Sequence, residues 1–421
     1  MEESKDSHSH QFLFLILVIL FDALGIGLIR PVIPNFIETV IGASGASVSL
    51  YFGFTATAFL VSMFLAGPIV GKLSDSFGRR PVLLLALLGS AINYFICSLA
   101  TSATVLITTQ IAAGACGSTV AIASAYALDF TPTEKRAQTL GLLWAAFGIG
   151  ITIGPAIGGL LGKFGPVVPF QAAGALAIAN SIYGFLVLKE SLPAGQRLPM
   201  TPAGLNPITS MLSIVRQNKY RIIVPAFALL VCGNGASDAV SLLFPRLRFG
   251  WGVGAIGLLT SAYSVATAVG QAGLTPFAIK WFGEQRTILW GLASKIIGFA
   301  LLAFVTQGWQ MYVLIPFAIL GGVVQPTIIA LFSNDVGPEM QGQLQGAISS
   351  LSVVCNAIGI FFVTAVFGFF TSGSSSINFA GAGYLLAAVL ASLSLVTIFR
   401  NTKSIALTVS SRSPKAVPTE E

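Results

Sequence analysis

GKLSDSFGRRP, residues 71–81, joins two apolar runs, 48–71 and 82–102. A bilayer core takes about 20 apolar residues in helix, so each run is long enough to cross one. The charged turn between them reads as a tight hairpin at a membrane face. Gly71 and Gly78 allow close helix contact and a sharp turn. Asp75 is placed to cap the N-terminus of a neighbouring helix. Arg79 and Arg80 are placed to pair with an acid at the same face, where Asp129 ends the run 104–128. Such a cluster would latch one conformation and release in another. The plainer reading is topological charge.

Outward from this hairpin the pattern repeats. Apolar runs of spanning length cover 12–34, 48–71, 82–102, 104–128, 138–162 and 166–188, then 221–245, 254–279, 287–306, 309–333, 342–370 and 376–399. The spacing predicts an all-α membrane protein of twelve transmembrane helices in two six-helix bundles. The expected organisation is a cytoplasmic N-terminal tail (1–11), a first bundle (12–188), a cytoplasmic linker (189–220), a second bundle (221–400) and a cytoplasmic, disordered tail (401–421). Composition agrees: 55% of the chain is hydrophobic and 9% charged, against about 25% charged in soluble domains. With so little charge to face water, the outer surface must meet lipid.

Lys and Arg set the orientation. All but five of the 22 fall in segments that share a side with the N-terminus. Lys163, Arg246 and Arg248 lie on the other side, and Arg30 and Lys295 lie within spans. The positive-inside rule then gives N-in and C-in, multi-pass, in the cell inner membrane. The net charge of +7 is accounted for by topology and implies no nucleic acid. Cys97, Cys116, Cys232 and Cys355 sit in apolar runs without metal-ligand spacing and read as small buried hydrophobes.

The two halves resemble each other. LDFTPTEKRAQTLG at 128–141 matches NDVGPEMQGQLQG at 334–346, and Phe77-Gly78 matches Phe282-Gly283 at a similar offset. Parallel repeats about an axis along the membrane normal are a known transporter construction.

A second motif, GITIGPAIGG at 150–159, places Gly150, Gly154, Gly158 and Gly159 on a smooth helix face, with Pro155 bending the helix. The form G-x-x-x-D-x-x-G-R-R at 71–80 is similar to a signature of the major facilitator superfamily, and 150–159 is similar to its antiporter motif. With FDALGIGLIRPVIP at 21–34, LAFVTQGW at 302–309 and QGQLQG at 341–346, the chain resembles the twelve-span drug/proton antiporters, the tetracycline-efflux group in particular. The likeness covers about 12–400. It implies two bundles that rock around a midplane cavity lined by spans 1, 4, 7 and 10. It also shows departures. Where tetracycline pumps carry charged or titratable groups in spans 3, 4, 8 and 9, this chain has Asn93, Gln110, Thr267 and Lys295. That makes tetracycline itself an unfavoured substrate.

Acids deep in spans are costly, about 2.5–3.5 kcal/mol each, and here they are Asp22 and Asp238. Asp22 is the expected proton-titrating group, with Asp238 its partner in the second half; the alternative for Asp22 is a structural acid. The expected substrate cavity holds Gln110, Asn234, Lys295 and Gln325, with Trp144 and Tyr263 as apolar contacts. Lys295 lies about 13 Å into its span, where it can snorkel or serve substrate or proton. Arg30 is expected to snorkel or to pair with Glu38. Two acids suit a cationic or neutral amphipathic substrate.

The chain lacks the loop G-x-x-x-x-G-K-[ST], and His8 and His10 stand in the tail. It therefore reads as neither an enzyme nor a nucleotide-driven pump, with no cofactor or metal. The leading expectation is a monomeric exporter of a small amphipathic drug or secondary metabolite, exchanging it for protons. An importer of the same fold, such as a siderophore or nutrient permease, is the alternative. A non-transporting receptor is disfavoured by the short loops.

Overall fold

A computed structural model of the chain describes residues 2–132, 135–200, 206–215, 220–333, 341–372 and 378–400. The predicted C-terminal tail and the first part of the second repeat motif, 334–340, lie outside the described residues. The first half holds α1 (Glu2–Ile29), α2 (Ile33–Ile41), α3 (Ala46–Phe77), α4 (Arg79–Ser98), α5 (Ala103–Cys116), α6 (Thr119–Asp129), α7 (Arg136–Leu161) and α8 (Val168–Val187). A linker carrying α9 (Pro207–Val215) leads to the second half. That half holds α10 (Ile223–Phe249), α11 (Val253–Ala268), α12 (Thr275–Ala303), α13 (Trp309–Val313), α14 (Ile315–Gly322), α15 (Val324–Ser333), α16 (Gln341–Thr371) and α17 (Ala382–Arg400).

Among the described residues, 11 helical stretches are long and apolar enough to cross a membrane. The longest, Val253–Ala303, is interrupted at Gly283, whose φ of 76° and ψ of 162° leave the helical region. Gly78, between α3 and α4, adopts φ 105° and ψ 155°. Both positions demand a backbone that side-chain-bearing residues rarely take, so the Phe-Gly repeat in the sequence encodes one turn used twice.

The predicted spans are continuous only in part. The first ends at Ile29 rather than at 34, because Pro31 lacks the N–H that would continue it, and α2 restarts with Pro34 in its first turn. The run 104–128 divides into α5 and α6 at Gly117 and Ser118. The run 309–333 divides at Leu314 and Val323, where Gly321, Gly322 and two prolines, Pro316 and Pro326, weaken the ladder. Gly117 and Gly322 stand at the same sequence offset as Gly78 and Gly283, so corresponding helices of the halves break at corresponding heights.

Many large apolar side chains face outward, among them Leu85, Trp290 and Phe164, the last 80% exposed. A surface of this kind is stable against lipid and not against water. Inside, three buried clusters describe how the halves meet. One belongs to the first half (Leu15, Leu83, Tyr126, Leu143) and one to the second (Phe227, Leu292, Phe332, Ile348). The third draws on both, joining Phe36, Phe52 and Phe170 to Val240, Phe244 and Tyr384. The shared core lies at the end that carries α2 and the α10–α11 turn; the separate cores lie toward the Gly78 and Gly283 turns. Across the shared end Ser49 Oγ donates to the Thr364 carbonyl at 2.7 Å and the Ala156 amide donates to Ser261 Oγ at 3.1 Å. The molecule is therefore closed at one end and parted at the other.

Candidate functional site

Between the halves lies a cavity of about 1220 Å³, reaching from Arg30 and Met311 at the closed end to Gly141 and Gly273 toward the parted end. It is lined by α7, α10, α11, α12, α14 and α15, with Trp144 and Tyr263 on its walls. Asn234, Lys295 and Gln325 meet here. Lys295 Nζ donates to Asn234 Oδ1 at 2.8 Å, and Asn234 Nδ2 donates to Gln325 Oε1 at 3.3 Å. Three helices are tied by one polar chain, so Lys295 is held in the cavity wall and does not snorkel. Its ammonium also stands 5.8 Å from the centre of the Phe299 ring.

Gln110 is not part of this cavity. It lines a second pocket of about 280 Å³, set mostly in the first half with Asp22, Asn93, Tyr94 and Thr119 and bounded by Asp238, Ala239, Leu242 and Ile360 of the second. α5 seats closely against α3, where a Cβ on Gly114 would overlap the Phe59 carbonyl. Asp22 is buried, and no cationic side chain pairs with it among the described residues. The two spaces share a wall made of Arg30, Ile151, Asp238 and Leu242. In that wall Arg30 Nη2 and Asp238 Oδ2 stand 3.8 Å apart. Arg30 therefore pairs with Asp238 and not with the expected Glu38, which pairs with Arg246. Both pairs cross between the halves, and both lie at the closed end.

At the opposite end Arg79 organises the 71–81 hairpin. Its guanidinium donates to Ser74 Oγ at 3.1 Å, Asp75 Oδ1 at 2.5 Å and Asp129 Oδ2 at 3.3 Å. Asp75 thus serves Arg79, and among the described residues it caps no neighbouring helix. Arg80 does not reach Asp129; it donates to the Phe185 carbonyl at 2.6 Å and lies over the Phe185 ring. Gly78 has no room for a side chain, because a Cβ there would run into Glu190 and Arg197. Around Gly71 there is open space, with nothing within 4 Å of a Cβ position, so the close contact expected of it is absent while this end is parted.

The 150–159 stripe has two faces. A Cβ on Gly150 would lie 2.6 Å from that of Ala23, one on Gly154 would lie 2.5 Å from Gly27 Cα, and one on Gly158 would overlap the Leu28 carbonyl. These three seat α7 against α1. Gly159 faces the other half instead, where a Cβ would lie 2.7 Å from the Val253 carbonyl. Pro155 presents its carbonyl to Gly257 of α11. One stretch thereby joins the helix that carries Asp22 to the helix that closes the cavity.

The family model described as Major Facilitator Superfamily matches residues 15–362. The chain belongs to the major facilitator superfamily. Among curated members of the superfamily it is 34% identical over 383 residues to the tetracycline resistance protein, class C, of Escherichia coli, covering 91% of this chain and 95% of that one. It is 26% identical over 410 residues to multidrug resistance protein 2 of Bacillus subtilis (strain 168), covering 96% and 98%. Among solved structures the nucleoside transporter NupG superposes with a TM-score of 0.72 at 13% identity, covering 94% of this chain and 98% of that one. The last likeness is one of fold.

In this superfamily member the sequence reading missed the start of the linker. Glu190 Oε1 accepts from the Arg79 amide at 2.9 Å and so caps α4. Ser191 Oγ donates to Asp129 Oδ2 at 2.7 Å, the Tyr126 hydroxyl donates to the Lys189 carbonyl, and Arg197 stands 3.9 Å from Glu190. The available signal was the polar quartet Lys189-Glu190-Ser191 and Arg197 immediately after an apolar run, at the face where Arg79 and Asp129 already lay.

Proposed function

We propose that this chain is a secondary active transporter of the inner membrane that exports a small amphipathic drug or secondary metabolite in exchange for protons. The observation that carries this reading is the cavity between the halves, closed at one end and open at the other, beside a separate pocket holding the buried Asp22. The names of the relatives, tetracycline resistance and multidrug resistance proteins, favour export over import.

In this reading the chain crosses the membrane twelve times, the Val253–Ala303 stretch counting twice across its break at Gly283. The halves are 12–188 and 221–400, the linker 189–220 and the tails 1–11 and 401–421 are cytoplasmic, and the protein works as a monomer. With N-in and C-in topology the parted end faces the cytoplasm, where an exporter collects its substrate. Asp22 and Asp238 couple proton movement to transport. Gly71, Asp75, Gly78, Arg79, Arg80 and Asp129 form the cytoplasmic latch. Gly150, Gly154, Pro155, Gly158 and Gly159 form the rocking joint. Asn234, Lys295 and Gln325 meet the substrate, and Gln110 serves the Asp22 pocket. The membrane carries the proton gradient, and no cofactor is required.

The test is direct. A deletion strain is grown against a panel of drugs, and each compound that becomes more toxic is added to everted vesicles holding an acid interior. Exchange predicts that such a compound discharges the pH gradient and accumulates inside. Accumulation in right-side-out vesicles energised the opposite way would establish import instead.

A further inference from the structure

The charged residues on the wall of the large cavity are Arg30, Asp238 and Lys295. Arg30 and Asp238 are paired at 3.8 Å. Lys295 makes no ion pair within 4 Å among the described residues, and two cations against one carboxylate leave the cavity wall with a net charge of +1. An ammonium in a transmembrane helix is expensive unless it faces water, a partner or a ligand.

The hydrogen-bond arithmetic points the same way. An ammonium carries three donors and no acceptor. One donor goes to Asn234 Oδ1, which obliges the Asn234 amide nitrogen to face Gln325, and it donates to Gln325 Oε1. The amide nitrogen of Gln325 and two ammonium hydrogens are left without a protein acceptor among the described residues. The chain thus ends in donors at both ends, a set completed by a ligand that only accepts. The lysine is also fixed in place: Gly321 presses on its stem, since a Cβ there would lie 2.5 Å from Lys295 Cγ. Apolar and aromatic surface surrounds it, from Phe299, Phe317 and Tyr263, whose hydroxyl is occupied by the Met311 carbonyl at 2.8 Å.

We propose that the cavity selects organic monoanions, ring-bearing molecules whose carboxylate or sulfonate docks on Lys295 and Gln325 while the ring lies against Phe299 and Tyr263. This rests on the export reading for the location of the substrate and reverses the expectation of a cationic or neutral substrate. That expectation counted Asp22 and Asp238 as free acids of one cavity; the first lies in its own pocket and the second is paired.

The experiment uses the full-length protein purified in detergent and three radiolabelled probes that share one ring and differ in charge: 2-naphthoate, 2-naphthamide and 2-naphthylmethylammonium. Equilibrium binding should favour the anion over the cation by roughly tenfold or more. Lys295→Met should bring the anion down to the affinity of the amide, and Lys295→Arg should keep the preference. Lys295→Gln, which removes the charge but can still donate to Asn234 Oδ1, should abolish the preference in the same way and serves if Lys295→Met does not fold. Equal or tighter binding of the cation, unchanged anion binding in Lys295→Met, or failure of the wild type to bind any of the three overturns the proposal. Binding at equilibrium depends neither on transport direction nor on a gradient. A cation preference would therefore leave the export reading standing, and anion binding without gradient-driven movement would overturn that reading alone.

Discussion

Arg30 and Asp238 meet at 3.8 Å across the boundary between the two halves, in the wall that separates the Asp22 pocket from the large cavity. The closed end, the charge of the cavity and the environment of the Asp22 pocket therefore converge on one pair. Protonation of Asp238 would weaken the pair, which gives the closed end a way to respond to protons.

Arg30→Gln should shift the protein toward a form open at the end closed in this structure. The pair is partly solvated, 39% and 64% exposed on its two side chains, so its worth is about 1 kcal/mol or less, a several-fold change in population. Combining it with Glu38→Gln, which removes the second cross-boundary pair, should enlarge the shift. Pulsed electron resonance distances between spin labels at Thr39 and Arg248 would report it; unchanged distances in the double variant would exclude these pairs as what holds that end closed.

The two faces of the 150–159 stripe should separate in mutants. Gly158→Ala places a methyl on the Leu28 carbonyl, and overpacking of this kind typically costs about 1–3 kcal/mol. Its melting temperature in detergent should fall by several degrees. Gly159→Ala strains the contact with Val253 in the other half, and should disturb opening and closing more than stability. Gly71→Ala has open space around it and should leave the melting temperature unchanged. Equal stability loss at all three positions would contradict this division.

Arg79→Lys should fail to replace arginine. The planar guanidinium reaches Ser74, Asp75 and Asp129 together, and a lysine offers a point charge without that fork. In this partly exposed cluster, loss of one charge-assisted bond is worth about 1 kcal/mol. Efflux in cells should drop at least as far as in Glu190→Gln, which leaves the Arg79 fork intact. Arg80→Lys, which loses the Phe185 stacking and the guanidinium bond to the Phe185 carbonyl but no acidic partner, should be milder.

The reach of the sequence is clearest in these residues. The Phe-Gly pairs at 77–78 and 282–283 reveal the repeat because a turn with positive φ leaves little choice of residue. The Arg79–Asp129 contact is legible because both charges end apolar runs at one face. For Arg30, chain proximity is the sequence's only guide to a partner and points to Glu38, whereas the true partner lies in the other half, beyond the reach of periodicity. Gln110 reads as a central-cavity residue because the resemblance makes span 4 a lining helix; its side chain lines the second pocket instead. The role of Lys295 depends on Asn234 and Gln325 arriving from two other helices, which no spacing encodes.

Asp22 lies in a pocket separate from Lys295, so the proposed proton coupling and substrate binding should come apart in mutants. Asp22→Asn should leave equilibrium binding of 2-naphthoate in detergent within about twofold of the wild type. A loss of binding as large as that of Lys295→Met would show the two spaces acting as one.

The most direct measurement is proton movement in everted vesicles carrying either wild-type protein or Asp22→Asn at equal abundance. Addition of a transported compound to acid-loaded wild-type vesicles should discharge the pH gradient while the compound accumulates, and the same addition to Asp22→Asn vesicles should do neither. Full discharge and accumulation in Asp22→Asn would contradict proton exchange through this carboxylate.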